Sequence, residues 1–249
     1  MEIEARGLRR LAQDVDERHN EAMSTFRDDI RAGHAALVRS GALRNRGRRG
    51  FLAGLGAGGA ALTVASMFGP AGWLSFAGAQ SMTDEDLAAF AQSVELAAVA
   101  AYGMAAPALT AATRPVGELF AQHHQDHADA FGAVAGSKAV SEPNGALVTA
   151  LTPALQAVRD ERSALELAFT LENQAAATYA FGLTAASGAD AVSGMATILP
   201  IESEHAAVIG AALGMPLTEI FVNGAFESAS AGDGTDPAKG LDPAKFPVG

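Results

Sequence analysis

Apolar residues recur every three or four positions over most of the chain, which predicts helices and not strands. After residue 80, four long helices are expected. Thr83 starts the run Thr-Asp-Glu-Asp, an N-cap followed by acidic residues in the first turn. The stretch from Pro107 to Pro115 breaks the pattern, and Ser187-Gly188 makes a tight turn. The four predicted helices cover 84–105, from the break to Gly136, 152–186, and from the second turn to Gly214.

The connection between the second and third helices is longer than the two turns. Residues 137–151 contain Pro143-Asn144-Gly145, which predicts a turn within a crossover. Thr152-Pro153 reads as an N-cap followed by proline at the first helical position. With a short closing helix near 217–226, residues 80–226 form a predicted all-α, antiparallel four-helix bundle. The repeated Asp-Pro-Ala-Lys sequences within 227–249 favour a disordered tail.

Residues 1–47 form a charged helical extension. Leu8, Leu11, Val15 and then Met23 and Phe26 recur at roughly helical spacing. Two interpretations of this extension stay open. It is a polar lead before the next segment, or it is a helix that docks on a partner or on a membrane surface.

Residues 48–79 have the order of an export signal: basic, then apolar, then small residues. Arg48-Arg49-Gly50-Phe51-Leu52 precedes a glycine-rich apolar run, and Ala77-Gly78-Ala79 offers small residues at a cleavage site. The segment resembles a twin-arginine signal, which implies transport by the twin-arginine export machinery. We expect a periplasmic, envelope or secreted protein. Without cleavage, residues 51–79 would associate with or anchor in the membrane.

Charge separates the two halves of the chain. Residues 1–79 hold 11 Lys and Arg against 8 Asp and Glu, whereas the whole chain has a net charge of −11. The bundle is therefore strongly acidic, which excludes it as a nucleic-acid-binding surface. There are no cysteines, so disulfides and thiol catalysis are excluded as well.

The second pair of helices repeats the first. In each pair a glutamate is followed by a tyrosine seven residues later, and about thirty residues after the glutamate come two polar residues spaced three apart. Two glycines then follow at the same offsets. Such matched spacing indicates a duplicated helical hairpin. The corresponding residues are Glu95, Tyr102, His124, His127, Gly132 and Gly136 in the first copy, and Glu172, Tyr179, Glu202, His205, Gly210 and Gly214 in the second.

Helix geometry brings the polar members of this repeat to one level. One residue on each helix, namely Glu95, His124, Glu172 or Glu202, lies about 20–22 Å from its turn at about 1.5 Å of rise per residue. Each also lies within an apolar stripe, where an unpaired charged side chain is costly. The predicted metal ligands are therefore Glu95, His124, His127, Glu172, Glu202 and His205. Tyr102 and Tyr179 are either core residues with a satisfied hydroxyl or members of a surrounding shell that hydrogen-bonds to the ligands. His123 is an alternative to His124, although the repeat favours His124.

This arrangement resembles the ferritin-like superfamily of di-iron and di-manganese carboxylate proteins, over residues 80–226. That family places one glutamate on each of two helices and Glu-x-x-His on each of the other two. Glu202-Ser203-Glu204-His205 matches the motif, whereas His124-Gln125-Asp126-His127 has histidine in the first position. The resemblance implies two divalent ions, Fe or Mn with Zn as a further option, and oxidation of Fe(II) or reaction with oxygen or peroxide.

Two other functions stay open at this point. The protein is a metal-binding or stress-protective envelope protein without turnover, or a metal-free bundle with a polar core. The sequence decides neither whether the protein is an enzyme nor whether copies form a homo-oligomer.

Overall fold

The computed structural model describes residues 4–40 and 82–220, together with positions 231–232, 240–241, 246 and 248. The predicted signal at 48–79 lies outside the described residues. The elements are α1 (Ala5–Ser40), α2 (Asp84–Ala105), α3 (Arg114–Ala135), α4 (Gly145–Ala157), α5 (Glu161–Ala185), α6 (Ala189–Ala212), α7 (Leu217–Ile220), β1 (Ala231–Gly232) and β2 (Gly240–Leu241).

The expected four-helix bundle is confirmed, with α2 and α3 as one hairpin and α5 and α6 as the other. Thr83 caps α2 as predicted. Its hydroxyl accepts a hydrogen bond from the backbone N–H of Asp86, whose carboxylate accepts one from the N–H of Thr83. A single 3-10 turn at Ala106–Ala108 lies in the predicted break before α3.

The repeated glycines occupy equivalent positions in the two hairpins. Gly136 and Gly214 follow the ends of α3 and α6 with φ of +59° and +72°, a left-handed conformation that only glycine adopts without strain. A Cβ on Gly132 would lie 2.5 Å from Gln92 Nε2, and one on Gly210 would lie 2.8 Å from Ile220 Cγ1. The repeat therefore preserves both a helix end and a close packing contact.

The start of the third bundle helix was predicted wrongly. The crossover contains a separate helix, α4, and Pro153 lies inside it. Asn144, expected in a turn, is the N-cap of α4, because its side chain accepts from the N–H of Leu147. The bundle helix α5 starts at Glu161, where Asp160 and Ser163 form a capping box.

Helix α1 packs along α6 and α3 as a fifth helix. Residues of its buried face are spaced by three or four positions and include a histidine, whereas Leu11, expected in the stripe, is 37% exposed. Burying each large apolar side chain of this face contributes about 1.5–3 kcal/mol. Arg18 Nε also pairs with Glu204 Oε1 of α6 at 2.7 Å. The face consists of Leu8, Ala12, Val15, His19, Met23 and Phe26.

The apolar core is divided by a polar level. Met23 and Phe26 join a cluster with Phe131 and Ile198 towards one end of the bundle. Leu8, Ala12 and Val15 join a second cluster, which includes Phe120, Val208 and Ile209, towards the other. His19 lies between these two sets along α1, at the level where polar side chains occupy the bundle interior.

A third apolar cluster lies outside the four-helix core. There, Phe90 and Val94 of α2 contact Leu147 and Leu151 of α4. Phe246 is buried in this cluster, and its carbonyl accepts from the side chain of Asn144 at 2.9 Å. The tail, predicted to be disordered, also contains the short parallel pair β1–β2. Helix α2 is apolar and long enough to cross a membrane, but most of that stretch is buried in the bundle.

Candidate metal centre

Six polar side chains from four helices meet in the middle of the bundle. Each is at most 2% exposed, so the group is closed to bulk water. Helices α2 and α5 each contribute one glutamate, while α3 and α6 each contribute two side chains one turn apart. These are the six residues singled out by the repeat: Glu95, His124, His127, Glu172, Glu202 and His205.

The six residues form two overlapping four-residue groups. One contains Glu95, His127 and the shared pair His124 and Glu202. The other contains Glu172, His205 and the same shared pair. Within each group, ligand atoms lie within 4.8 Å of one another. The overlap provides two adjacent places where a cation would be surrounded by carboxylate oxygens and imidazole nitrogens.

His127 and Glu202 approach each other without a hydrogen bond. His127 Nδ1 lies 2.8 Å from Glu202 Oε1, yet both atoms are buried without a hydrogen-bond partner among the described residues. The imidazole nitrogen and the carboxylate oxygen are therefore close together, but neither makes a hydrogen bond. Buried polar atoms of this kind require an explanation, and a bound cation that accepts both lone pairs is one.

His124 occupies the place where the second motif has a glutamate. Its Nδ1 lies 2.7 Å from Glu95 Oε2, and its Nε2 lies 3.2 Å from Glu172 Oε1. The ring therefore joins the single glutamates of the two hairpins. Because each nitrogen faces a carboxylate, the doubly protonated imidazolium fits this position in the absence of a metal.

Each of the two tyrosines forms a hydrogen bond with the glutamate of the other hairpin. Tyr102 of α2 donates a hydrogen bond to Glu172 of α5, and Tyr179 of α5 donates one to Glu95 of α2. Burial and the nearby carboxylates raise the pKa of both hydroxyls well above the ordinary value. Both tyrosines therefore stay neutral donors that hold a carboxylate in place.

The charges of the centre compensate one another. Burial opposes ionisation of Glu95, but the charges of His127 and His124 outweigh it and lower the pKa to about 2. Burial likewise opposes protonation of His127, but Glu95 and Glu202 raise its pKa to about 9. The pKa of Glu172 is lowered like that of Glu95, and the pKa values of His124 and His205 are raised like that of His127. Without metal, three histidines can thus balance three carboxylates.

Sequence reasoning missed a set of residues that surrounds the centre on the α1 side. His123 Nδ1 lies 3.0 Å from His205 Nε2, and His123 Nε2 lies 3.1 Å from Asp16 Oδ1. His19 stacks on His123, with ring centroids 3.8 Å apart. The available signal was the spacing Asp16-x-x-His19, which places both residues on one face of α1. His123, weighed as an alternative to His124, belongs to this outer set.

A small cavity touches the centre from the opposite side. Its walls include Glu95, His124 and Glu172, together with Leu147 and Leu151 of α4. Its volume of about 30 Å³ is comparable to the space that one water molecule occupies. The cavity therefore has room for at least one water-sized molecule beside the carboxylates.

The chain belongs to the ferritin-like domain family, whose pattern matches residues 83–215. Among curated proteins and among solved structures, none matches the chain. The match covers all four bundle helices and every residue of the inner centre, but not α1.

The donor set fits the metal ions that such a bundle holds. Carboxylate oxygens and imidazole nitrogens bind Fe, Mn and Zn in their divalent states. His127 Nδ1 and Glu202 Oε1, which are buried without a hydrogen-bond partner among the described residues, are suited to bind such an ion. The buried His and Glu groups are thus compatible with metal binding.

Proposed function

We propose that this protein binds two divalent ions, Fe or Mn, in the centre formed by the six inner residues, and that it oxidises Fe(II) or reduces oxygen or peroxide there. The convergence of three carboxylates and three histidines at one buried level supports the proposal most directly. When bound, such ions supply the electrons for reduction of oxygen or peroxide.

The side chains have separate roles in this proposal. Glu95 and His127 would hold one ion, and Glu172 and His205 would hold the other. Glu202 would be available to both, because each of its oxygens lies near a different histidine: Oε1 near His127 and Oε2 near His205. The tyrosine hydroxyls orient Glu95 and Glu172, so these carboxylates need little rearrangement on binding.

His124 makes the two ion positions unequal. An imidazole nitrogen offers one lone pair, so His124 cannot bridge as a glutamate does. Three carboxylates also neutralise only part of the charge of two divalent ions. We therefore expect one ion to bind more tightly than the other.

The small cavity supports a small co-substrate. It lies beside Glu95, His124 and Glu172 and has room for a molecule of the size of water. Oxygen and hydrogen peroxide are small enough to enter this space after modest side-chain movement. Leu147 and Leu151 limit access of water to the reacting position.

A second candidate function is a metal-free bundle with a polar core. The balance between three carboxylates and three histidines of raised pKa favours it, because each buried histidine then has a carboxylate of opposite charge beside it. A metal-binding protein without turnover is the intermediate case. These alternatives differ in metal content and in turnover.

The test combines elemental analysis with oxidation assays on the full chain. Protein purified without chelator should contain close to two Fe or Mn per chain and should accelerate Fe(II) oxidation by oxygen or peroxide. Glu172→Gln should lose both properties. Glu166→Gln on the exposed face of the same helix removes the same charge and should keep both.

Each failure has a distinct meaning. Bound metal without accelerated oxidation would leave a non-catalytic metal-binding protein. Absence of metal after incubation with excess Fe(II) and Mn(II), in a protein that remains folded, would leave the metal-free bundle.

A further inference from the structure

Helix α1 brings a second set of metal-ligand side chains against the bundle. Asp16 and His19 lie on one face of α1, three residues apart, as do Glu202 and His205 in α6. They meet His123 of α3, and ligand atoms of Asp16, His19 and His123 all lie within 4.8 Å of one another. None of these three residues belongs to the six of the inner centre.

His19 is the observation that calls for a ligand. The residue is 1% exposed, and neither ring nitrogen has a hydrogen-bond partner among the described residues. A buried polar atom without a partner loses its hydrogen bond to water and gains none in the protein. A neutral imidazole has one proton and one lone pair in either tautomer, so the His19 ring offers an unpaired lone pair in both.

Asp16 connects this set with solvent. Its side chain is 39% exposed, whereas that of His123 is only 1% exposed. A cation can therefore reach the carboxylate from outside without opening the bundle. One carboxylate and two imidazoles form a donor set suited to Zn, Co, Fe or Mn as divalent ions.

We infer that Asp16, His19 and His123 form a third divalent-metal site, the outer site, which lies between α1 and α3 and competes with occupancy of the inner centre through His205. The competition, though not the outer site itself, rests on the proposed function of the inner centre.

The competition follows from the tautomers of two histidines. His205 Nδ1 faces Glu172 and Glu202 at 3.2 and 3.3 Å, so this nitrogen serves the inner centre. Its Nε2 then bears the proton and donates to His123 Nδ1 at 3.0 Å. His123 in turn bears its proton on Nε2 and donates to Asp16 at 3.1 Å.

An ion in the outer site demands the opposite arrangement. His123 must offer the lone pair of Nε2, so its proton lies on Nδ1 and is donated to His205 Nε2. The neutral His205 then has its proton on Nδ1, where it blocks coordination in the inner centre. The two occupancies therefore oppose each other, because a neutral His123 cannot accept from His205 at Nδ1 and offer a lone pair at Nε2 at the same time.

The experiment titrates Co(II) into the metal-free full chain by calorimetry and locates bound Co(II) by anomalous scattering. Asp16→Asn and His19→Gln should each weaken one class of sites by about tenfold or more, because each removes a ligand. Glu17→Gln removes the same charge from the exposed neighbour of Asp16 and should leave binding unchanged. Asp16→Asn is the decisive variant, because its partly exposed side chain is replaced by one of the same shape.

The inner centre is tested in parallel with Glu172→Gln, which leaves His123 and His205 intact. This variant should bind Co(II) at the outer site several-fold more tightly than wild type. Equal affinity there would overturn the competition. Binding by Asp16→Asn and His19→Gln that matches Glu17→Gln would overturn the outer site itself. One ion per chain, lost in Asp16→Asn and kept in Glu172→Gln, would support the outer site and contradict the proposed inner pair.

Discussion

The hydroxyl of Tyr102 donates a hydrogen bond to the carboxylate of Glu172, which lies 70 residues further along the chain on a different hairpin. The reciprocal contact joins Tyr179 to Glu95. Each hairpin thus positions the glutamate of the other, and the two contacts hold the inner centre together even without an ion.

Replacing either tyrosine by phenylalanine should destabilise the metal-free protein. Tyr102→Phe leaves the buried Glu172 without its hydroxyl donor, which costs about 1–3 kcal/mol of unfolding free energy. Tyr179→Phe should cost a similar amount, and urea unfolding measures both. Thr152→Val removes a hydroxyl that bonds only to Val148 within α4 and should change stability much less. Equal losses in all three variants would argue against a special role for the tyrosines.

Restoring the missing glutamate should strengthen metal binding. His124→Glu gives Glu-x-x-His on α3 and provides four carboxylates for the four positive charges of two divalent ions. We expect Mn(II) affinity to rise by about tenfold or more and metal-free stability to fall, because buried carboxylates then outnumber histidines. Calorimetry and thermal unfolding in chelator measure the two effects. Gln122→Glu adds the same charge on the exposed face of α3 and serves as the control.

The stability of the metal-free protein should depend on pH on both sides of a maximum. The pKa of His127 is raised from 6.5 to about 9, so its stabilisation is complete below 6.5 and is lost as the pH rises through 9. The pKa of Glu95 is lowered from 4.5 to about 2, so its stabilisation is present above 4.5 and is lost as the pH falls through 2. Thermal unfolding in chelator should therefore show highest stability between pH 4.5 and 6.5.

Saturating metal should change the alkaline side of this profile. A metal ion binds to histidines that have lost a proton, so it binds more tightly as the pH rises. Metal therefore stabilises the protein more on the alkaline side of the profile. The expected alkaline loss in chelator is a few kcal/mol. A chelated protein whose melting temperature does not change between pH 6.5 and 9 would contradict the charge balance described for the centre.

The contact of α1 with the bundle can be weakened at one glycine. A Cβ on Gly194 of α6 would lie 2.9 Å from Phe26 of α1 and 3.3 Å from Phe131 of α3. Gly194→Ala should cost about 1–3 kcal/mol and should release α1 to proteases. Gly103→Ala meets no atom within 4 Å and should stabilise α2 by about 0.5–1 kcal/mol. Resistance of α1 to proteolysis in Gly194→Ala would mean that the helix is held mainly elsewhere.

The position of α1 also bears on the predicted export signal. Cleavage after residue 79 would remove α1 and with it His19 and Asp16 from the metal-centre region. We propose that an exported chain keeps this segment, since α1 buries an apolar face on the bundle. Intact-mass measurement on protein from the envelope fraction should give the full-length chain, and Arg48→Lys with Arg49→Lys should prevent export. A mature chain that starts at residue 80 would contradict retention.

The convergence of the six inner side chains could be predicted from the sequence because their spacing is local and repeated. Residues three apart on a helix must share a face, and the duplicated offsets place Glu95 and Glu172 opposite those pairs. The same physical rule applies to Asp16 and His19. The spacing alone does not predict a site there, because α1 has no copy in the repeat and Asp16 contacts His123 across more than one hundred residues of sequence.

The wrong helix start at Thr152 has a different cause. Threonine before proline is compatible with an N-cap, but Asn144 and Asp160 are both stronger caps, and each starts a helix. Local propensity does not decide whether Pro153 starts a helix or lies inside one. Packing of Leu147 and Leu151 on α2 decided it, and that packing depends on residues distant in sequence.

The exchange of tyrosines makes the two hairpins mutually dependent. A fragment containing only α2 and α3 would have Glu95 without its donor and Tyr102 without its acceptor, and the other hairpin would lack the complementary pair. Neither half can complete its own polar interior, so separately made halves gain their missing contacts only by joining. A protein of this design has one cooperative interior built from two copies of a unit that is incomplete alone.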